Sequence, residues 1–198
     1  MGVLLSHNHY DHMDLATLEW LHKKFAMPIY TGLGNGFYLP KEFHVIEMDW
    51  WQEIPYHELR IVYTPAQHGS GRVYVTKIRH FGAVFRFWRK QDIVFLRVIP
   101  VMPATSNKFI RAMVRCVWLY FQSGAYEPRK LMSYVHMNPQ DAVHAHLDLQ
   151  AHRSVAIHYR TFQLTDEGRE DPEHALAQPL KLHQSLLILF IAFEKGIN

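Results

Sequence analysis

The chain has 198 residues, 48% hydrophobic and 20% charged, a balance that describes a soluble globular protein with one domain as the default. A net charge of +3 with histidine neutral is too small and too dispersed to argue for nucleic acid as a partner. The single cysteine, Cys116, excludes an internal disulfide and fits a reducing compartment such as the cytoplasm.

In chain order, apolar Val3-Leu4-Leu5 reads as a buried strand. Met1 leads straight into it with no basic start and no cleavage pattern, so no signal peptide is expected. Next comes Ser6-His7-Asn8-His9-Tyr10-Asp11-His12-Met13-Asp14, in which four potential metal ligands fall within six positions. Imidazole nitrogen mixed with carboxylate oxygen suits a borderline cation such as zinc. On an extended segment His7, His9 and Asp11 share one face, and a tight turn after the strand brings His12 round to a second ion. A merely histidine-rich surface loop is the alternative in a chain with 15 histidines, but order, spacing and the preceding strand favour metal.

Asp14 is placed to cap a helix through about Phe25, with Leu15, Leu18 and Leu21 near helical spacing and Lys23 and Lys24 at the C-terminal end of the dipole. Pro28 stops it, and Pro28-Ile29-Tyr30-Thr31 reads as the next strand. Gly32-Leu33-Gly34-Asn35-Gly36 lacks the Lys-Ser/Thr of a phosphate loop and reads as a tight turn. Phe43–Glu47 and Leu59–Tyr63 read as strands, the second delivering His68 just past its end. Trp50-Trp51 suits either core or a lipid-facing patch. Asn138 caps a helix with Pro139 at its first position and Asp141 in the first turn, running to about Leu149. His144, His146 and His152 read as surface histidines, and Arg153–Ile157 as an apolar strand ending at His158. The run Leu186 to Phe193 is far below the ~20 residues that span a bilayer. It reads as a buried strand in preference to an interfacial anchor or a misread tail. Strands that deposit histidines at their C-terminal ends, alternating with helices, predict an α/β architecture.

The His-x-His-x-Asp-His run resembles the signature of the metallo-β-lactamase superfamily. Thr64-Pro65-Ala66-Gln67-His68-Gly69-Ser70-Gly71-Arg72, Gly124-Ala125-Tyr126-Glu127-Pro128-Arg129, His136-Met137-Asn138-Pro139-Gln140-Asp141-Ala142-Val143 and Ser154-Val155-Ala156-Ile157-His158-Tyr159-Arg160-Thr161-Phe162 narrow the likeness. They resemble the branch that holds the N-acylphosphatidylethanolamine-hydrolysing phospholipase D. The resemblance covers about residues 2–72 and 124–180.

It implies a four-layer αββα sandwich, here incomplete, because the resembling proteins carry strands before the run and this chain begins at the strand that bears it. One partial domain over 1–198 is expected, with exposed sheet edge and doubtful independent stability. The implied cofactor is zinc, two ions in the intact site. His7, His9 and His68 would hold one ion; Asp11, His12 and His158 the second. The implied reaction is hydrolysis of a small-molecule or lipid phosphodiester by a zinc-bound hydroxide, with Asp11 and His136 as catalytic residues. His136 either contacts the phosphate or shuttles a proton, or is a polar loop residue. Arg129 either engages a phosphate or pairs with Glu127, the latter preferred. A lipid substrate brings peripheral membrane contact as an addition to a cytoplasmic location.

Residues 73–123 depart from the pattern. Relatives carry a strand ending in Gly-Asp-Thr-Gly-Tyr whose aspartate bridges the metals. Here Asp92-Ile93-Val94-Phe95-Leu96 is followed by Arg97-Val98-Ile99-Pro100-Val101-Met102, with no acid. With one choice of synonymous codons those residues, read one base out of register, spell Gly-Asp-Thr-Gly-Tyr, so a frameshift is expected, with a divergent insertion as the alternative. The competing functional readings are an inactive truncated remnant and a metallohydrolase acting on a lactone or thioester. Relatives often carry Trp where Gly69 stands.

Overall fold

The structure is a computed structural model and describes residues 1–71, 80–89, 92–97, 116–148, 151–182 and 188–190. It divides into two compact units, Met1–Arg86 and Phe87–Asn198.

In the first unit β1 (Val3–Leu5), β2 (Ile29–Gly32) and β3 (Val45–Met48) form a parallel sheet in that order, with Leu4 opposite Tyr30 and Tyr30 opposite Ile46. Helix α1 (Leu15–Phe25) makes the crossover from β1 to β2 that parallel pairing requires. It starts where expected: Asp14 accepts a hydrogen bond from the Thr17 backbone N–H at 3.2 Å, satisfying one of the orphan donors of the first turn. It ends at Ala26, which takes a left-handed conformation (φ 48°) two residues ahead of Pro28. Leu18 is the residue of α1 that is fully buried, packed in a cluster with Leu5, Met13, Ile29, Leu39 and Phe43. Leu33 to Tyr38 form a tight turn and a short 3-10 helix (Asn35–Tyr38), as the glycine spacing predicted.

The third strand starts at Val45, two residues later than expected, and Phe43 goes into the core instead. A hairpin follows that the sequence reading missed: β4 (Glu53–Tyr56) pairs antiparallel with β5 (Leu59–Ser70), Ile54 opposite Ile61. The predicted strand over 59–63 therefore runs on to Ser70 and carries His68 within it, not past its end. Trp50 and Trp51, in the turn before β4, are 41% and 54% exposed, so they are not core.

The boundary between the units falls within β6 (His80–Arg89). In the second unit β7 (Asp92–Arg97), β8 (Cys116–Gln122), β9 (Arg153–Ile157) and β10 (Ile188–Phe190) are parallel neighbours in that order. The expected strand at 92–96 is thus present, and so is the central part of the one expected at 186–193. The expected Gly-Asp-Thr-Gly-Tyr position, at 98–102, lies outside the described residues. After β8 come the short helix α2 (Arg129–Met132) and α3 (Pro139–Asp148); α4 (Asp171–Leu182) follows β9. Asn138 and Asp141 cap α3 reciprocally: the Asp141 N–H donates to Asn138 Oδ1 at 2.8 Å, and the Asn138 N–H to Asp141 Oδ2 at 3.2 Å. Phe121, Met137, Ala142, Val143, Val155, Ala156 and Leu176 are buried in this unit. Among the described residues no helix is long and apolar enough to cross a membrane.

Candidate metal centre

Ligands of parallel α/β sheets collect at the carboxyl ends of the strands, where side chains leave the sheet. His7 and His9 leave β1 at that end. Two hydrogen bonds to the His9 carbonyl, from the His12 N–H at 3.0 Å and the Met13 N–H at 2.7 Å, then close the turn. His68 enters from β5. Three imidazole nitrogens converge: His7 Nε2 lies 3.1 Å from His9 Nδ1, and His68 Nε2 lies 3.2 Å from the same atom. The rings meet edge to face, His7 and His68 with centroids 4.6 Å apart at 82°. His7 is 1% exposed and His68 6%.

Neutral imidazole carries one N–H and one lone pair. A single proton cannot join three nitrogens pairwise, whereas a cation at their centre satisfies all three lone pairs. The far nitrogen of His7 is already engaged, Nδ1 lying 2.9 Å from the Ser6 hydroxyl, which sets Nε2 as the ligand atom. Burial lowers the His9 pKa, Asp11 partly opposing, so the neutral, ligating form prevails. This donor set fits a divalent metal ion, and ligand atoms of His7, His9 and His68 all lie within 4.8 Å of one another.

The surrounding residues escaped the sequence reading. The Tyr63 hydroxyl donates to the Ser6 carbonyl at 2.9 Å, tying β5 to the end of β1. Burial holds the Tyr63 phenol well above its ordinary pKa, so it stays a donor. Gly32 makes room for this ring: a Cβ there would collide with the Tyr63 hydroxyl. Asn8 and Ser70, both buried, hydrogen-bond to each other between the same segments. Asp11 and His12 follow in the turn, Asp11 Oδ2 at 3.2 Å from His12 Nε2 and the His12 ring 4.3 Å from that of His7.

The remaining predicted residues lie in the second unit. His158 takes a left-handed conformation (φ 69°) directly after β9. Gly124 allows the loop after β8 to lie against it, since a Cβ there would collide with the His158 carbonyl. The buried Gln122 side chain faces His158 Nδ1 at 3.0 Å through Nε2, while its Oε1 has no hydrogen-bond partner. Turning the amide over places the oxygen on Nδ1–H and directs the lone pair of Nε2 outward. His136 donates from Nδ1 to the Ala125 carbonyl at 2.6 Å, so Nε2 carries its lone pair; its ring stands 5.4 Å from that of His158, at 90°.

Glu167 organises this loop. Its carboxylate accepts from the backbone N–H groups of Ala125 (2.5 Å), Tyr126 (3.3 Å) and Glu127 (3.0 Å) and from the Thr165 hydroxyl (2.7 Å). Burial alone would raise its pKa; the hydrogen bonds from Thr165 and the loop backbone outweigh burial and hold it below the usual carboxylate range. Burial, with the Glu167, Asp171 and Glu127 charges, pushes the neighbouring Tyr126 phenol up to about 12.

Two expectations change here. Arg129 does not pair with Glu127. Its guanidinium pairs with Asp141 and donates to the His136 carbonyl at 2.9 Å, while the Glu127 carboxylate takes only the Arg129 backbone N–H. His146 is not on the surface: it is 4% exposed, with Nδ1 at 2.6 Å from the Ser154 hydroxyl. His144 and His152 are exposed, as expected.

Known proteins resemble this chain in sequence and in fold. A protein of Mycobacterium bovis described as uncharacterised is 29% identical over 189 residues, spanning 88% of this chain and 48% of the relative. The mitochondrial N-acyl-phosphatidylethanolamine-hydrolyzing phospholipase D of Saccharomyces cerevisiae is 26% identical over 184 residues, spanning 88% of this chain and 39% of that protein. The chain thus spans less than half the length of both. The crystal structure of an isothiocyanate hydrolase from Delia radicum gut bacteria superposes with a TM-score of 0.69 at 20% identity, over 98% of this chain and 77% of the other, a likeness of fold. The family described as the Beta-lactamase superfamily domain matches residues 1–159. The chain belongs to that family, with the metallo-β-lactamase fold and a likeness to its N-acylphosphatidylethanolamine-hydrolysing phospholipase D branch.

Proposed function

We propose that this chain carries the catalytic centre of a zinc-dependent phosphodiesterase, phospholipase D-like, acting on a lipid or small-molecule phosphodiester. The observation that carries the reading is the convergence of the His7, His9 and His68 nitrogens. The first ion is assigned to them. The second is assigned to Asp11, His12 and His158 on the family resemblance. Bound ions would supply an activated water at neutral pH and neutralise charge on the phosphate oxygens. Ser6 and Gln122 each engage Nδ1, of His7 and of His158 respectively, which leaves Nε2 as the ligand atom of each. His136, fixed through Nδ1, presents Nε2 to take a proton from the nucleophile or return one to the leaving oxygen. Asp11 acts as ligand and as the acid that orients His12.

The lipid part of the reading is supported by the yeast relative and by a cleft of about 200 Å³ beside His158 that includes Tyr159, Phe162, Leu164 and Arg169. Phe162 and Leu164 are half-exposed there, offering apolar contact next to polar groups. The test is incubation of the zinc-loaded chain with N-acylphosphatidylethanolamine, a thioester and a lactone, with products read by mass spectrometry. Phosphatidic acid with released N-acylethanolamine is the expected outcome. Cleavage of only the thioester or lactone would replace the substrate assignment. Bound zinc without turnover on any of them would favour the inactive remnant, the reading supported by the lack of an acid at 97–102 in the sequence.

A further inference from the structure

The histidine triad joins two segments far apart in sequence, and its geometry depends on what fixes one to the other. His7 and His9 flank Asn8; His68 stands two residues before Ser70. Asn8 is 1% exposed and Ser70 9%. The Asn8 backbone N–H donates to Ser70 Oγ at 3.2 Å, and the Ser70 hydroxyl donates in return to Asn8 Oδ1 at 2.8 Å. This two-way clasp fixes both position and rotation of one segment against the other. At Gly69 and at Gly71, on either side of Ser70, no neighbouring described atom lies within 4 Å of where a Cβ would stand. The Tyr63 bond to the Ser6 carbonyl fixes the strand earlier along its length.

We propose that Ser70 is a positioning residue of the first metal site, setting the reach of His68 toward His7 and His9 without touching the ion. The inference rests on the metal-site reading above. Removing the hydroxyl leaves all three ligands in place but deletes both bonds that tie the His68 segment to the one carrying His7 and His9. The site then binds an ion with distorted geometry. Loss of an outer-shell partner of this kind weakens metal affinity about 10–100-fold.

The test is zinc affinity of the full chain, by competition with a chromophoric chelator, together with thermal unfolding with and without EDTA. Ser70→Ala is expected to weaken one bound equivalent by about tenfold or more. His68→Ala is expected to abolish the same equivalent, and Ser70→Thr, which keeps the hydroxyl, to stay near wild type. The EDTA-treated S70A protein is expected to melt close to the EDTA-treated wild type, with the loss confined to the rise in melting temperature that zinc gives. A drop of equal size with and without EDTA would make Ser70 a purely structural residue and overturn the inference. Wild-type zinc affinity in S70A, beside a weakened H68A, would also overturn it while leaving the metal site standing. A wild-type chain that binds no zinc would remove both. Should S70A fail to fold, Asn8→Ala removes the opposite acceptor and carries the same expectation.

Discussion

The two units hold their candidate site residues by different means. In the first unit the ligands do the gathering. Two histidines from the segment after β1 and one from β5 lie in mutual contact, and hydrogen bonds from Ser6, Asn8, Ser70 and Tyr63 hold the segments together. In the second unit a scaffold does it. His158 and His136 are each held from behind, by Gln122 and by the Ala125 carbonyl, and the loop that supplies that carbonyl hangs on the Glu167 carboxylate. In the second unit the positive-φ residues include the candidate ligand itself, Ala125, His158 and Arg160 standing at 61°, 69° and 65°, whereas those of the first unit, Ala26, Trp51 and His57, are not its ligand histidines. Such conformations cost about 1–2 kcal/mol each and persist where surrounding structure enforces them. In the first unit the hydrogen bonds tie one ligand-bearing segment to the other; in the second they back His158 and His136 and the loop that supports them.

That contrast can be broken from either side. The largest effect is expected from His68→Ala, which removes one of three converging nitrogens; zinc affinity of the first site falls by more than about 100-fold, beyond the range for an outer-shell partner. Chelator competition checks this, and an unchanged affinity would remove the cluster from the site. Next, Gly124→Ala forces a Cβ into the His158 carbonyl. Overpacking of this kind costs about 1–3 kcal/mol, read as a lower urea midpoint at unchanged slope. A neutral result would mean that the loop after β8 does not hold His158 closely.

Glu167→Gln sharpens the contrast through pH. The native carboxyl has a lowered pKa, so the native state favours the ionised form. Its stabilisation is fully present above the unfolded value of about 4.3 and disappears as pH falls through the lower native value. The wild-type melting temperature should thus fall more steeply than that of E167Q below about pH 4.3, and parallel profiles would show the loop to be held by something else. The smallest effect belongs to Asp14→Ala. It removes the cap of α1 and should cost about 1 kcal/mol of stability without touching zinc affinity.

Local pattern made part of each unit legible. The run from His7 to His12, the Asp14 cap and the Asn138-Pro139-Asp141 start of α3 each declare themselves within a few residues, because turns, caps and strand ends are local physics. Long-range partners do not. Ser70 meets Asn8 across 62 positions, and Glu167 meets Ala125 across 42, and no spacing rule encodes either pairing. Arg129 meets Asp141 across 12 positions, a long-range pair that the nearer Glu127 masked in the sequence. One misreading had a signal available. His146 shares a helical face with Pro139, Ala142 and Val143, all buried, so its burial was readable from periodicity. The length of β5 was not readable, because its second half, Thr64 to Ser70, alternates weakly and carries glycine and proline.

The most direct test of the account is the zinc content of the purified, dialysed chain, measured by inductively coupled plasma mass spectrometry beside His68→Ala. The account predicts stoichiometric zinc in the wild type and at least one equivalent less in the variant. A metal-free wild type, or equal zinc in both proteins, would contradict it.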